Sequence, residues 1–227
     1  MKNIILLLIS LISFVGWSEE KEYEVNQFFN LNIIGNFKVT LISSNQHKVR
    51  VINNDEDILL ESIIVENKGN ELILKLKKDT YKKREIEFIV YYKELFNIKA
   101  KRGAYVVFKE NLKSKSLNVE VNSGAHIILA IDSKSANFTI KNGGKIEAKG
   151  KIESVNFYIS KGGSLDAYQL ISTSVNAEVL FGGEMFIYVT NSLNAVVKSG
   201  GTIKYKGKPS NVTEDIKIGG KIVKIDK

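Results

Sequence analysis

The chain has no cysteine. Disulfides, thiolate metal sites, cysteine nucleophiles and a lipidated anchor cysteine are therefore excluded. It has one proline in 227 residues, and continuous β pairing disfavours proline because the residue lacks the ladder N–H. Its two histidines, His47 and His126, fall in different halves, and a zinc site needs more ligands than that. No glycine cluster is followed by the Lys-Ser/Thr of a phosphate-binding loop, and no serine stands in a nucleophile-elbow context. Beyond residue 18 no apolar run is long enough to cross a bilayer as a helix. Ahead of it, Lys2 precedes a run from Ile4 to Val15 that is apolar apart from Ser10 and Ser13, and Gly16 and Ser18 place small residues at the −3 and −1 positions of a cleavage site. Residues 1–18 thus read as a secretory signal peptide, and the mature chain begins at Glu19 and is exported. Without disulfides, such a chain must be held by burial and hydrogen bonds.

Charge excludes less. The chain carries 33 Lys and Arg against 25 Asp and Glu, a net +8. The basic residues are scattered among the acids, which suits a soluble protein near anionic surfaces better than a nucleic-acid binder.

What the chain does have is a glycine signal at nearly constant spacing. It reads RGA at Arg102–Ala104, SGA at Ser123–Ala125, NGG at Asn142–Gly144, KGG at Lys161–Gly163, FGG at Phe181–Gly183, SGG at Ser199–Gly201 and IGG at Ile218–Gly220. The first glycines, Gly103, Gly124, Gly143, Gly162, Gly182, Gly200 and Gly219, are separated by 21, 19, 19, 20, 18 and 19 residues. A fixed turn signal with a period near 19 means stacked coils of one supersecondary unit. Around each glycine the apolar residues alternate. Before it they fall at −7, −5 and −3, as in Leu117/Val119/Val121 and Val155/Phe157/Ile159; after it they fall at +3 and +5, as in Ile127/Leu129 and Met185/Ile187. Period-2 alternation is the mark of strands with one buried face, and glycine supplies the positive φ of a tight corner. One such coil cannot bury its stripe alone, whereas stacked neighbours can. Parallel crossovers are overwhelmingly right-handed. The expected fold is all-β, a right-handed parallel β-helix with coils of about 19 residues over 96–227.

A polar column shares this spacing. Position −6 is Asn97, Asn118, Asn137, Asn156, Asn176 and Asn194, then Thr213. Stacked asparagines can form amide ladders, and a ladder uses the amides' own donors and acceptors, so reinforcement is favoured over a binding role. Residues 19–95 are also β but less regular. Phe37/Val39/Leu41, Leu72/Leu74/Leu76 and Ile86/Phe88/Val90 alternate, Gly35-Asn36 and Lys68-Gly69-Asn70 read as turns, and Ile58–Val65 reads as a buried strand. This half is expected either to form degenerate first coils or to cap one end of the stack.

The repeated pattern N-φ-x-φ-x-x-G-[GA]-x-φ-x-φ, with φ an apolar residue, resembles the head GIN domain family of autotransporter adhesins. So do the ending I-K-Y-K-G-K-P at Ile203–Pro209 before a final IGG, the entry at Phe29–Val39 and the segment Asn70–Leu74. The resemblance covers residues 25–225. It departs at the RGA first repeat and at Phe181 and Ile218, where the family often has serine. It implies a β-helical exported protein of a Gram-negative bacterium, periplasmic or at the cell surface. It carries no catalytic residues, and "adhesin" is a name by analogy, since fold does not fix function.

Candidate sites are few. Tyr168, Phe186 and Tyr188 fall at outward positions +4 and +6 of neighbouring coils, where exposed aromatics suit a sugar or protein ligand; the competing role is cross-strand stacking that stabilises the sheet. Lysines near the corners, among them Lys145 and Lys161 with Lys101, Arg102, Lys141 and Lys198, could meet anionic glycans or headgroups. Glu147 and Asp166 fall at +4 of adjacent coils, a pair that a β-helix polysaccharide-cleaving enzyme could use, although lysines suffice to neutralise them. The expected function is non-enzymatic binding of a glycan or of another envelope protein, with no cofactor, no metal and no nucleic acid. The alternatives are such an enzyme or a structural component that self-associates through its ends.

Overall fold

The computed structural model describes residues 18–78 and 82–225. The expected signal peptide, apart from Ser18, lies outside the described residues. The protein is a parallel β-solenoid of about seven turns, and each coil is two flat arms joined by two corners. The arms are visible inside single long strands. In β10 (His126–Lys141), Ile127, Leu129 and Ile131 are buried, then Ala136, Phe138 and Ile140. The odd step from Ile131 to Ala136 breaks the period-2 phase, so the chain must turn there for both stretches to face one core. Two buried stretches on one long strand recur in β9 (Tyr105–Asn122), β11 (Lys145–Ser160), β12 (Ser164–Phe181) and β13 (Glu184–Ser199), although in β13 the step between them, Val189 to Leu193, is even.

Stacking follows the glycine register. Ile127 lies beside Ile146, Asn137 beside Asn156 and Phe138 beside Phe157, all in parallel. The Phe138 and Phe157 rings meet at a tilt, 5.5 Å between centroids. At the glycine corner the amide of Gly162 donates to the carbonyl of Phe181 in the next coil at 3.0 Å, and Gly182 donates to Ser199 at 3.0 Å. The two glycines of a pair do different work. Gly182 has φ +64 and its absent Cβ would meet nothing within 4 Å, so only conformation demands glycine there. Gly183 has φ +115, and a Cβ would stand 2.7 Å from Ile159 Cγ2 and 3.0 Å from the Gly163 carbonyl oxygen. At the equivalent second position of the first two coils, Ala104 and Ala125 are fully buried, so the corner there accommodates a methyl.

The opposite corner carries a column the sequence reading did not pick out. Ser116, Ser135, Ser154, Ser174 and Ser192 lie in register at position −8. Ser135 Oγ donates to the Lys115 carbonyl at 3.3 Å, and Ser114 and Ser133 each donate to the carbonyl two residues on, at 2.8 Å. Short hydroxyls satisfying local carbonyls are the usual chemistry of a bend.

The N-terminal strands join the same stack, out of chain order. β2 (Asn30–Ile34), the Gly35 corner and β3 (Lys38–Ser43) form a coil that pairs in parallel with β8 (Asn97–Lys101) and β9. On its other side the same coil pairs in parallel with β6 (Glu71–Leu76) and β7 (Ile86–Tyr92). Beyond these, β5 (Ile63–Lys68) runs antiparallel to β6, β4 (Lys48–Asn53) antiparallel to β7, and β1 (Glu19–Glu24) antiparallel to β4. One core runs unbroken from Phe28 to Tyr205. The stretch Ile58–Val65 is not a buried strand. Leu59 is exposed, a short 3₁₀ turn occupies Leu60–Ser62, and only Ile63 is buried. Ile58, Leu60 and Val65 are partly buried against the edge of the core.

Candidate ligand-binding face

Uneven coil lengths give one face its relief. On the arm after the glycine, β10 advances from Ile128 to Ala130 while β9 advances from Val107 to Asn111, so β9 bulges by two residues. Likewise Glu147 to Lys149 of β11 faces Asp166 to Gln169 of β12, a bulge of one residue in β12. These are the coils with steps of 21 and 20; the two between them have steps of 19. The result is a groove of about 640 Å³. Lys109, Glu110 and Asn111 line one side, Asp166, Tyr168 and Gln169 the other, and Ile128, Ala130, Glu147 and Lys149 the floor between them. The ridges stand three strand spacings apart, about 14 Å.

Glu147 anchors the floor. Its Oε1 is 2.6 Å from Lys145 Nζ and 3.0 Å from His126 Nε2. The hydrogen bond from Lys145 holds the Glu147 carboxyl below the usual glutamate range against the opposing effect of burial, with smaller help from His126. Burial pushes His126 below the ordinary histidine value, and Lys145 adds to this, against the pull of Glu147. The Tyr105 ring meets His126 edge-on at 5.3 Å. Asp166 Oδ1 accepts from the Tyr168 amide at 3.3 Å, which shapes the bulge.

Tyr168 and Phe186 stand together, edge to face at 5.1 Å. Their ring faces are already occupied. Lys204 Nζ lies 4.8 Å from the Phe186 centroid, and Lys206 Nζ lies 5.4 Å from Tyr168 and 5.0 Å from Tyr188. Lys204 also pairs with Glu184 at 2.7 Å. All three aromatics are half-buried, because the long lysine stems of β14 (Thr202–Lys206), the strand after that of Phe186 and Tyr188, fold over them. The outward positions expected for them hold, while the bare surface does not. Lys145 is on the same arm, tied to Glu147. Lys161 is apart from the others, at the glycine corner with φ +57. The structure thus brings Tyr168, Phe186 and Tyr188 together, puts Lys145 beside the groove, and leaves Lys161 elsewhere. Sequence reasoning missed Lys109, Glu110, Asn111, Lys149 and Gln169. The signal was available in the 21- and 20-residue steps, which mark where extra residues must bulge.

On the other arm the asparagine amides form a chain. Asn118 donates to Asn97 at 2.9 Å, Asn137 to Asn118 at 2.7 Å, Asn156 to Asn137 at 2.7 Å and Asn176 to Asn156 at 2.8 Å. Asn97 donates in turn to Asn30 at 2.6 Å. Asn194 stands in register beside Asn176. Asn30 escapes the sequence pattern because it lies five, not six, residues before its corner glycine, Gly35.

The family model described as "Putative auto-transporter adhesin, head GIN domain" matches residues 27–209. The chain belongs to this family. Solved structures share the fold at low identity. A protein from Bacteroides fragilis NCTC 9343 described as a putative adhesin matches with a TM-score of 0.83 at 22% identity, over 92% of this chain and 97% of that one. A putative adhesin from Parabacteroides distasonis ATCC 8503 matches at 0.75 and 20% identity, over 93% and 98%. A protein from the same organism described as a putative lipid binding protein matches at 0.70 and 17% identity, over 93% and 98%. No curated protein matches the chain. Among the described residues, no helix of the head GIN domain chain is long and apolar enough to cross a membrane.

Proposed function

We propose that this head GIN domain protein is exported to the periplasm or cell surface, acts there without catalysis, and holds a glycan in the groove between its two bulged coils. The observation that carries this reading is the lining. Lys109, Glu110, Asn111, Glu147, Lys149, Asp166 and Gln169 supply donors and acceptors for hydroxyl groups, and Tyr168 supplies an aromatic edge. A trough walled on both long sides by strand bulges suits an extended chain of sugars. The solved neighbour described as a lipid binding protein raises an acyl ligand as the other reading; a groove ringed by charged and amide side chains would leave those groups unpaired against hydrocarbon, which is costly. Family membership favours a binding role over an enzymatic one. Glu147 agrees with it. A general acid needs a raised pKa near working pH, and Lys145 holds that of Glu147 down.

A glycan array probed with the purified protein and with a Lys149→Ala/Gln169→Ala variant tests this. Both residues are exposed, so thermal stability should stay within about 0.5 kcal/mol while the array signal falls. The triple variant Tyr168→Ser/Phe186→Ser/Tyr188→Ser should also lose binding, with a cross-strand cost of roughly 0.2–1 kcal/mol per residue. Unchanged binding by both variants, or turnover of a bound polysaccharide that Glu147→Gln abolishes, would overturn the reading.

A further inference from the structure

The last coil breaks the interior pattern in a paired way. In the coils from Gly103 to Gly200, position −5 is Ile98, Val119, Phe138, Phe157, Ala177 and Ala195, and position +5 is Phe108, Leu129, Ala148, Ala167, Ile187 and Tyr205, all buried. Around Gly219 these two interior positions are Glu214 and Lys224. Both follow the register of the columns below them: Glu214 lies beside Ala195 and Lys224 beside Tyr205. Glu214 turns inward, since Oη of Tyr205, from the opposite arm, donates to its Oε1 at 3.3 Å. The flanking apolar residues lie open. Val212 is 43% and Ile216 45% exposed, against 1% and 0% for Leu193 and Val197 one coil earlier. β15 (Asn211–Ile218) pairs only with β13, and β16 (Lys221–Lys224) only with β14 (Thr202–Lys206), so each has a free backbone edge among the described residues.

We propose that this end of the stack is a self-complementary interface that takes a second copy of the chain. The two arms of a coil run in opposite directions. A two-fold axis along the strands therefore lays β15 of one molecule on β16 of the other, antiparallel, at both arms. Glu214 and Lys224 stand five residues before and after the same corner glycine, and Ile216 and Ile222 three before and after it. That axis brings Glu214 against Lys224 of the partner subunit, twice, with Ile216 against the partner's Ile222. The same axis also sets Lys217 against the partner's Lys221, but Asp215 pairs with Lys217 at 2.9 Å. The alternative axis, across the strands, would set β15 on β15 and β16 on β16, and would lay the two lysines of β16, Lys221 and Lys224, against those of the partner subunit. With Glu214 and Asp215 against one lysine β15 is net negative, and with two lysines β16 is net positive, so this net complementarity selects the occupant and the mode. A single inward charge would serve to blunt an open edge; opposite charges at matching positions of the two arms are what an isologous contact requires. The interface is at the end of the stack, away from the groove, so it stands or falls independently of glycan binding.

The test is a charge swap read by sedimentation equilibrium of the purified protein. The native chain should dimerise, more weakly as salt rises. Glu214→Lys and Lys224→Glu should each weaken the dimer by roughly a hundredfold or more, since like charges meet across the contact. The double variant Glu214→Lys/Lys224→Glu should restore it, which a merely misfolded end would not do. A native chain that stays monomeric at high micromolar concentration, single variants that dimerise like the native chain, or a double variant that fails to recover would each overturn the proposal.

Discussion

Replacing Asn137 by alanine cuts the amide ladder at its middle. Asn137 donates to Asn118 at 2.7 Å and accepts from Asn156 at 2.7 Å, so two hydrogen bonds are lost. A neutral hydrogen bond contributes about 0.5–1.5 kcal/mol net, which gives about 1–3 kcal/mol for the pair. These amides are exposed, so water re-solvates the orphaned Asn118 oxygen and Asn156 nitrogen, and the cost falls at the low end, about 1 kcal/mol. Asn137→Asp separates hydrogen bonding from size. A carboxylate still accepts from Asn156 but has no proton for Asn118 Oδ1, and two oxygens would face each other where a 2.7 Å bond stands. Near neutral pH this variant should be less stable than Asn137→Ala, and it should recover in acid as the carboxyl regains a proton. Urea unfolding at constant m-value measures both. A double-mutant cycle of Asn137→Ala with Asn156→Ala should return a coupling of about 0.5–1 kcal/mol. An Asn137→Ala variant within about 0.3 kcal/mol of the native protein, or an Asp variant no worse than Ala, would refute the view that the ladder stabilises the stack.

Two further outcomes follow from the corners and the histidines. Gly182→Ala should cost about 1–2 kcal/mol, the penalty of a left-handed residue in open space, and Gly183→Ala more, because its Cβ meets Ile159 and the Gly163 carbonyl at 2.7 and 3.0 Å; equal urea midpoints for the two would show that the second glycine has no packing role. Burial pushes both His126 and His47 below the ordinary value of 6.5, with Lys145 and Lys93 adding to the effect. The unfolded chain therefore takes up protons first, and stability should fall as pH drops from about 6.5 towards the folded values. Urea midpoints at pH 7.5 and 5.5 should show this drop in the native protein and a smaller one in a His47→Gln/His126→Gln variant; an identical drop in both would assign the acid sensitivity to other groups.

The sequence by itself determined the coil. The glycine spacing, the ±3 and ±5 apolar positions and the asparagine column are local or strictly periodic signals, and in a solenoid each coil meets only its neighbours, so one repeat predicts its own surroundings. Belonging to the head GIN domain family was readable from the same pattern. Tertiary structure decided whatever depends on contacts distant in the chain. The coil β2–Gly35–β3 sits between β6–β7 and β8–β9, an order that no periodicity encodes because its paired residues are 41 to 67 positions apart in the chain. The aromatic face is covered rather than bare because Lys204 and Lys206, one coil beyond Phe186 and Tyr188 and two beyond Tyr168, fold back over the three rings. The groove lies between these extremes. Its cause, two longer coils flanking two shorter ones, is written in the spacing, yet where the extra residues bulge is fixed only when neighbouring strands pair and force the surplus outward.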